Sequence, residues 1–424
     1  MNLMKYIPFL IMVSVCGKLF SQESITLNEC LRLALEKNYS IKIIKNEEQK
    51  SNNNVNYSQF IPSVNATGSQ RENIYSYSEE KNTSDIYAAG VVLDWTLFDG
   101  MAMFADHNKY LNMRSIGELN TKMAIENIIV SVSELYYSVI VEQSKLDAAR
   151  HSLSLSNDRF NEARDKYNLG VLSGLEMQQA KIDFNADSSS FMRQKEYLKS
   201  AYISLNLAMC GDLQNTGYVN DTIALTEPLS FEILETNTLN FNTALLIAKK
   251  QMKISELDLQ IARSSLYPTI KLNAGYNYNR TESVANANAF NKYHGPYWGF
   301  SVNVPLFSRL ETVRKIKNSK IDSKNAAYSY EDASLQIQGD LAQLYNTYEN
   351  NLKIVDFENE SANVAYENLD AALEKYKIGS LSGIEFREFQ RSYIDAVNRK
   401  LSAIYQAKVS ELSLLLISGG IRVQ

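Results

Sequence analysis

The sequence predicts an α+β membrane protein built from two copies of one unit, each combining very long helices with a pair of amphipathic strands. Three observations predict it. Glycine (17) and proline (6) are scarce among 424 residues, and so few breakers imply long uninterrupted elements. Residues 163–176, ARDKYNLGVLSGLE, recur as residues 372–385, ALEKYKIGSLSGIE, with eight of fourteen positions identical. Between the helical stretches, apolar and polar residues alternate with a period of two.

Composition excludes several classes. Hydrophobic residues make up 45 % and charged residues 21 %, the range of a folded chain and not of a disordered one. Lysine and arginine total 43 against 48 acids, a net charge of −5, so the electrostatic footprint of a nucleic-acid binder is missing.

Residues 1–21 read as a cleavable signal peptide. Lys5 precedes an apolar stretch from Tyr6 to Gly17 that is too short to span a bilayer, followed by Leu19-Phe20-Ser21. The competing reading is a lipoprotein signal with Cys16 as the lipidated residue; Val15 stands where a small residue is wanted. Beyond the signal only Cys30 and Cys210 remain, with neither metal spacing nor a disulfide framework. No later apolar run reads as long enough to cross a membrane as a helix.

The first copy covers residues 22–212. A helix runs from about Glu23 to Gln59, a strand pair from 62 to 98, a long helix over 101–169 and another over 175–210. Ile116, Leu119, Met123, Ile128, Val132, Leu135 and Val139 recur at three- and four-residue steps, the seam of a coiled-coil helix. A linker, residues 213–230, leads to the second copy over 231–420: a helix at 232–266, a strand pair at 268–307, a long helix at 310–378 and a last helix at 384–418. Leu97-Phe98 and Leu306-Phe307 share the offset of 209 between the copies, while Pro62 and Pro268 are 206 apart.

In the second strand pair Ile270, Leu272, Ala274, Tyr276 and Tyr278 share one face, and Trp298, Phe300, Val302, Val304 and Leu306 continue the pattern on the return. The return strand of copy one carries Tyr87, Ala89, Val91, Leu93, Trp95 and Leu97; its partner, Pro62 to Tyr77, is less regular and reads as bulged. Such runs fit transmembrane β-strands, and equally a soluble hairpin with one buried face. Four strands cannot close a barrel alone, and open edges in hydrocarbon cost several kcal/mol per unsatisfied group. Membrane insertion therefore requires more than one chain.

The signal peptide, the two helix–strand–strand–long helix–helix copies, and Y-x-x-G-x-L-S-G at both helical turns together resemble the TolC-like outer-membrane efflux proteins. The resemblance covers about residues 23–420, and VPLFSR and TLFDG at the strand ends are also part of it. It implies a homotrimer in which each chain gives four strands to one transmembrane β-barrel, with the helices forming a long antiparallel coiled-coil tunnel across the periplasm. It further implies a passive exit duct in the outer membrane, in contact with outer-membrane lipid. The duct would serve a tripartite efflux pump or type I secretion system, with a periplasmic adaptor (membrane fusion) protein and an inner-membrane pump or ABC transporter as partners. The alternatives are a pore-less periplasmic coiled-coil scaffold and a lipoprotein variant of the same family.

The turns Gly170-Val171-Leu172-Ser173-Gly174 and Gly379-Ser380-Leu381-Ser382-Gly383 are the candidate sites. Gly170 and Gly379 stand where a helix C-cap needs positive φ, and Ser173 and Ser382 can cap the helices that follow. Capping leaves Leu172 and Leu381 unexplained. The resemblance makes these tips adaptor contacts, with the leucines as exposed docking knobs; the plain alternative is a pair of well-made turns. Glu385 and Glu388 lie on one helix face and match the acidic pair lining the periplasmic aperture of the family, where mutual repulsion would raise some pKa values. Their alternative is solvated surface, with Glu388 paired to Arg391. Glu176 and Tyr376 match a tip-closing pair, whereas Leu381 replaces a family arginine.

No catalytic set is present. GVLSG and GSLSG place leucine where a nucleophile elbow needs serine. His107, His151 and His294 read as lying on two helices and a loop, without ligand spacing. No cofactor and no dedicated metal site are expected.

Overall fold

The computed structural model describes residues 25–77, 80–217, 219, 221–226, 228–283 and 290–421. The expected signal peptide and Cys16 lie outside them. Helices α1 (Leu27–Lys37) and α2 (Tyr39–Asn54) precede strands β1 (Ser63–Tyr77) and β2 (Glu80–Phe98). Helices α3 (Ala102–Asn168) and α4 (Gly174–Met209) follow, then α5 (Phe231–Phe241) and α6 (Thr243–Ser264). Strands β3 (Thr269–Ser283) and β4 (Phe290–Asn303) lead to α7 (Glu311–Lys377) and α8 (Gly383–Ile417).

The opening helix of each copy is broken in two, unlike the single helix that the absence of Gly and Pro predicts. The breaker is asparagine. The Asn38 side chain accepts from the Ser40 amide at 2.8 Å, and the Asn242 side chain accepts from the Leu245 amide at 2.9 Å. Each offers the backbone a local alternative to the continuing helix and caps the next one.

The long helices α3 and α7 have 67 residues each. Within the predicted seam Val132 and Val139 are fully buried, and Tyr136 joins them. Contrary to the sequence reading, α3 does contain a window long and apolar enough to cross a membrane, half of it buried within the chain.

The chain forms two compact units that cut across the sequence repeat. One comprises residues through Glu36, Ser131–Leu225 and Ile354–Gln406; the other Lys37–Val130, Thr226–Lys353 and Ala407 onward. In the second unit Leu234, Leu341, Tyr348 and Leu414 form a core, with Leu229 and Tyr345 packed against it.

That unit also holds one antiparallel sheet in the order β1-β2-β3-β4. The pairing of β1 with β2 runs unbroken from Ser63–Asp94 to Tyr77–Glu80, so the expected bulge in β1 is not there. It lies between β2 and β3, at Thr96/Phe98. Strand β4 stops at Asn303, short of Val304 and Leu306, because Pro305 cannot donate to a ladder.

The two faces of the sheet differ sharply. Val64, Leu93, Ala274 and Trp298 form one cross-strand row, and Ala66, Val91, Tyr276 and Pro296 the next. The opposite face carries Asn65, Asn273, Asn277 and Asn303, with Asp94 hydrogen-bonded to Asn273. Trp298 is 74 % exposed and Val302 62 %. An apolar face left open in this way needs lipid or protein to cover it.

Candidate functional site

Both helical turns belong to the first unit and repeat the same geometry. At the end of α3 the Gly170 amide donates to the Tyr167 carbonyl (2.9 Å) and the Val171 amide to that of Lys166 (2.9 Å). At the end of α7 the Gly379 amide donates to Tyr376 (3.0 Å) and the Ser380 amide to Lys375 (2.9 Å). These are Schellman caps. Their pivots, Gly170 and Gly379, sit at φ 72° and 77°, where a Cβ would be strained.

The next helix then starts with a capping box. Ser173 Oγ accepts from the Glu176 amide (3.2 Å), while Glu176 Oε2 accepts from the Ser173 amide (3.3 Å) and hydroxyl (2.9 Å). Ser382 and Glu385 repeat it at 3.3, 2.9 and 2.7 Å. The recurring glutamate is therefore explained by the helix start. The bonds from Ser382, backbone first and hydroxyl second, hold the Glu385 carboxyl below its ordinary range. Within one chain the shift is thus opposite to the rise expected from repulsion. Glu388 is exposed on the same helix, and among the described residues no ion pair joins it to Arg391.

Leu172 and Leu381 are half-buried, not exposed knobs. Leu381 packs against the cluster of Leu369, Ala372 and Phe386, closing the turn from inside. The apolar side chains that do face solvent at the tips are Leu169, Val171 and Leu175 on one turn and Ile378 and Ile384 on the other.

The expected pair Glu176 and Tyr376 have other partners within the chain. Glu176 closes its capping box, and Tyr376 stacks on Phe386 at 5.2 Å. Burial, then Glu162, pushes the Tyr376 phenol up, with Arg159 and Lys166 opposing.

Behind the tips lies a buried polar network that the sequence did not reveal. Arg387 of α8 donates to both carboxylate oxygens of Asp187 on α4, at 2.6 and 2.7 Å. Gln390 donates to Ser152 Oγ (2.8 Å) and Ser156 Oγ (3.0 Å) on α3, and Ser156 in turn bonds Asp187. Arg159 pairs with Asp183 at 2.9 Å. Burial works against the Arg387 charge, but the bonds and charge of Asp187 together with the charge of Asp183 raise its pKa. At the equivalent places of copy two, 209 residues on, Ala365 and Ala396 make an apolar contact with Ala362. The network is thus a departure from the repeat, tying α8 of the second copy to α3 and α4 of the first.

The histidines occupy unrelated places. His107 stacks on Tyr57 at 5.5 Å, His151 lies edge-on to Tyr393, and His294 is on β4, not in a loop, with Nδ1 2.9 Å from the Tyr276 hydroxyl.

A sheet with one apolar open face, joined in sequence to helices of 67 residues that end in capped turns, is the architecture of a membrane channel component. The family model for outer membrane efflux proteins matches residues 31–211 and 236–420. The chain belongs to the outer membrane efflux protein family, and it is an outer-membrane transport protein. It is 21 % identical over 398 residues to the probable outer membrane lipoprotein SilC of Salmonella typhimurium, covering 91 % of this chain and 84 % of that one. With the outer membrane protein TolC of Vibrio cholerae it shares 20 % over 361 residues, 84 % of this chain and 82 % of the other. Among solved structures, the Campylobacter jejuni CmeC outer membrane channel superposes with a TM-score of 0.78 at 14 % identity, over 93 % of this chain and 85 % of that one. The Vibrio cholerae outer membrane protein VceC gives 0.75 at 14 %, over 93 % and 96 %.

Proposed function

We propose that three copies of this chain close their sheets into one transmembrane β-barrel and their helices into a periplasmic tunnel. The assembly is the passive exit duct of a tripartite efflux pump or type I secretion system. The observation that carries this reading is the sheet itself: four strands, two unpaired edges, an open apolar face and an asparagine-rich opposite face. Such a sheet is unsatisfied alone and becomes a water-filled pore only when closed by further copies.

In this reading the tips dock a periplasmic adaptor protein, itself bound to an inner-membrane pump or ABC transporter. Val171, Leu175, Ile378 and Ile384 supply the apolar contact around Gly170, Ser173, Gly174, Gly379, Ser380, Ser382 and Gly383. Leu172 and Leu381 shape the turns from beneath. Glu385 and Glu388 of three chains ring the aperture. Light scattering or native mass spectrometry of the detergent-solubilised protein tests the assembly: a stable trimer is expected, and a stable monomer contradicts it.

A further inference from the structure

We infer that β4 of one copy pairs antiparallel with β1 of the next in one defined register, with Val302 facing Gly68. This rests on the trimeric reading above and adds to it the residue-by-residue match of the two strand edges.

The register follows from the internal repeat. In the first hairpin Val64 faces Leu93 and Ser69 faces Ala88. Shifting β1 by 206 residues and β2 by 209, the two offsets already visible in the sequence, gives Ile270 facing Val302 and Gly275 facing Tyr297. Both pairs are present in the second hairpin. The two hairpins therefore obey one geometry.

The junction between them, β2 with β3, is the only inter-hairpin pairing among the described residues. There Leu93 faces Ala274, Val91 faces Tyr276, Gly90 faces Asn277 and Ile86 faces Thr281. The same offsets, applied to β4 and to β1 of the next copy, place Val302 opposite Gly68 and Phe300 opposite Gln70. They also place Gly299 opposite Arg71 and Gly295 opposite Tyr75. Even-numbered residues meet even-numbered ones, so the apolar faces of the two sheets run together, as the period of two requires.

The strand glycines support this register independently. Inside the chain, a Cβ on Gly90 would meet Asn277 Oδ1 at 2.7 Å, and one on Gly275 would meet the Val91 carbonyl oxygen and, at 2.9 Å, the Tyr297 ring. Those glycines make room for a large cross-strand neighbour. Gly68, Gly295 and Gly299, all on the open edge strands, have nothing within 4 Å of such a Cβ. Nothing among the described residues of one chain accounts for them. In the inferred register each receives a larger partner: Val302, Tyr75 and Arg71. Gly299 is the repeat equivalent of Gly90, with Arg71 taking the place of Asn277. A register slipped by two residues would instead set Gly299 against Ser69 or Asn73, and Gly295 against Asn73 or Tyr77.

Directly opposed residues of antiparallel strands have Cα atoms about 4.5–5.5 Å apart, within disulfide reach, whereas diagonal neighbours lie about 7–8 Å apart, beyond it. The test uses the full chain with Cys30→Ala and Cys210→Ser, oxidised with copper phenanthroline after the assembly state is measured in detergent. Gly68→Cys with Val302→Cys should give covalently linked trimers on a denaturing gel. Gly68→Cys with Phe300→Cys, or with Val304→Cys, should give little. A trimer that links best through position 300 or 304 overturns the register and leaves the trimeric reading standing. A chain that is not trimeric and links through none of the pairs overturns both. Arg71→Gly, which removes the side chain opposite Gly299, provides a second readout: the heat resistance of the trimer should fall, and an unchanged trimer contradicts the pairing.

Discussion

Arg387 grips Asp187 with both terminal nitrogens of its guanidinium, 2.6 and 2.7 Å from the two carboxylate oxygens. It thereby fastens the last helix of the second copy to the first copy, about one turn beyond the tip. Bidentate geometry and burial make this a strong polar contact. Removing one partner leaves Arg387 with Asp183 at 3.9 Å and Gln390, or Asp187 with Ser152, Ser156 and Gln390, at a cost below the ~3–5 kcal/mol of a fully unpaired buried charge. Arg387→Ala and Asp187→Ala should each lower thermal stability markedly. The double replacement Arg387→Met, Asp187→Leu should recover most of the loss. Equal losses in the single and double variants, followed by circular dichroism during heating, would refute the assignment.

The caps make a separate and smaller prediction. Ser173→Ala or Ser382→Ala removes a side-chain acceptor at a helix start, worth about 0.5–2 kcal/mol. Gly379→Ala forces a Cβ into positive φ, at roughly 1 kcal/mol. Hydrogen exchange should accelerate in the first turn of α4 for Ser173→Ala, in the first turn of α8 for Ser382→Ala and in the last turn of α7 for Gly379→Ala, and stay unchanged in the sheet.

In the proposed duct, Glu385 and Glu388 should contribute unequally to cation block. The Glu385 carboxylate is committed to Ser382, with its pKa depressed, while Glu388 is exposed and has no ion pair among the described residues. Glu388→Gln should therefore remove most of the block by divalent cations, and Glu385→Gln less. The sign for Glu385 follows from linkage: its contribution is present above the unfolded carboxyl value and is lost as pH falls through the lower folded one. Equal block in wild type and the double variant would make both glutamates mere helix surface.

Docking should depend on the exposed tip residues. Val171→Asp with Ile384→Asp should leave folding and membrane insertion intact and impair transport. Leu381→Asp should destabilise the tip instead, because Leu381 is packed against Phe386. Transport assays alongside protein levels separate the two effects.

Cys30 is fully buried, and burial, then Glu29, pushes its thiol up to about 12. An acid whose folded pKa is raised stabilises the fold below the unfolded value. That stability is lost as pH rises from about 9 towards 12. At neutral pH a thiol reagent should spare Cys30 until the protein unfolds; rapid labelling of Cys30 in the native protein would contradict its burial.

Much of this fold was legible because its signals are periodic. Alternation over β3, the seam through Val132 and Val139, and the 209-residue repeat all report regular elements. Asn38 and Asn242 were missed because a side-chain cap within a helical run looks like any polar surface position. Leu172 and Leu381 face inward because each stands just before an N-cap serine, where an apolar residue folds back on the first turn of the next helix, as Leu381 does against Phe386; spacing alone does not show this. The Arg387–Asp187 network left no motif, since its members come from three helices distant in sequence. One trace of it was available: Asp187 and Ser156 stand where the second copy has Ala396 and Ala365.

Single-channel conductance of the purified protein in a planar bilayer tests the central claim most directly. Stable, long-lived openings of one unitary size are expected, carried by a trimer and reduced by divalent cations added on the side of the helical tips. Insertion without conductance, or a soluble mature protein that leaves the bilayer silent, would contradict the duct.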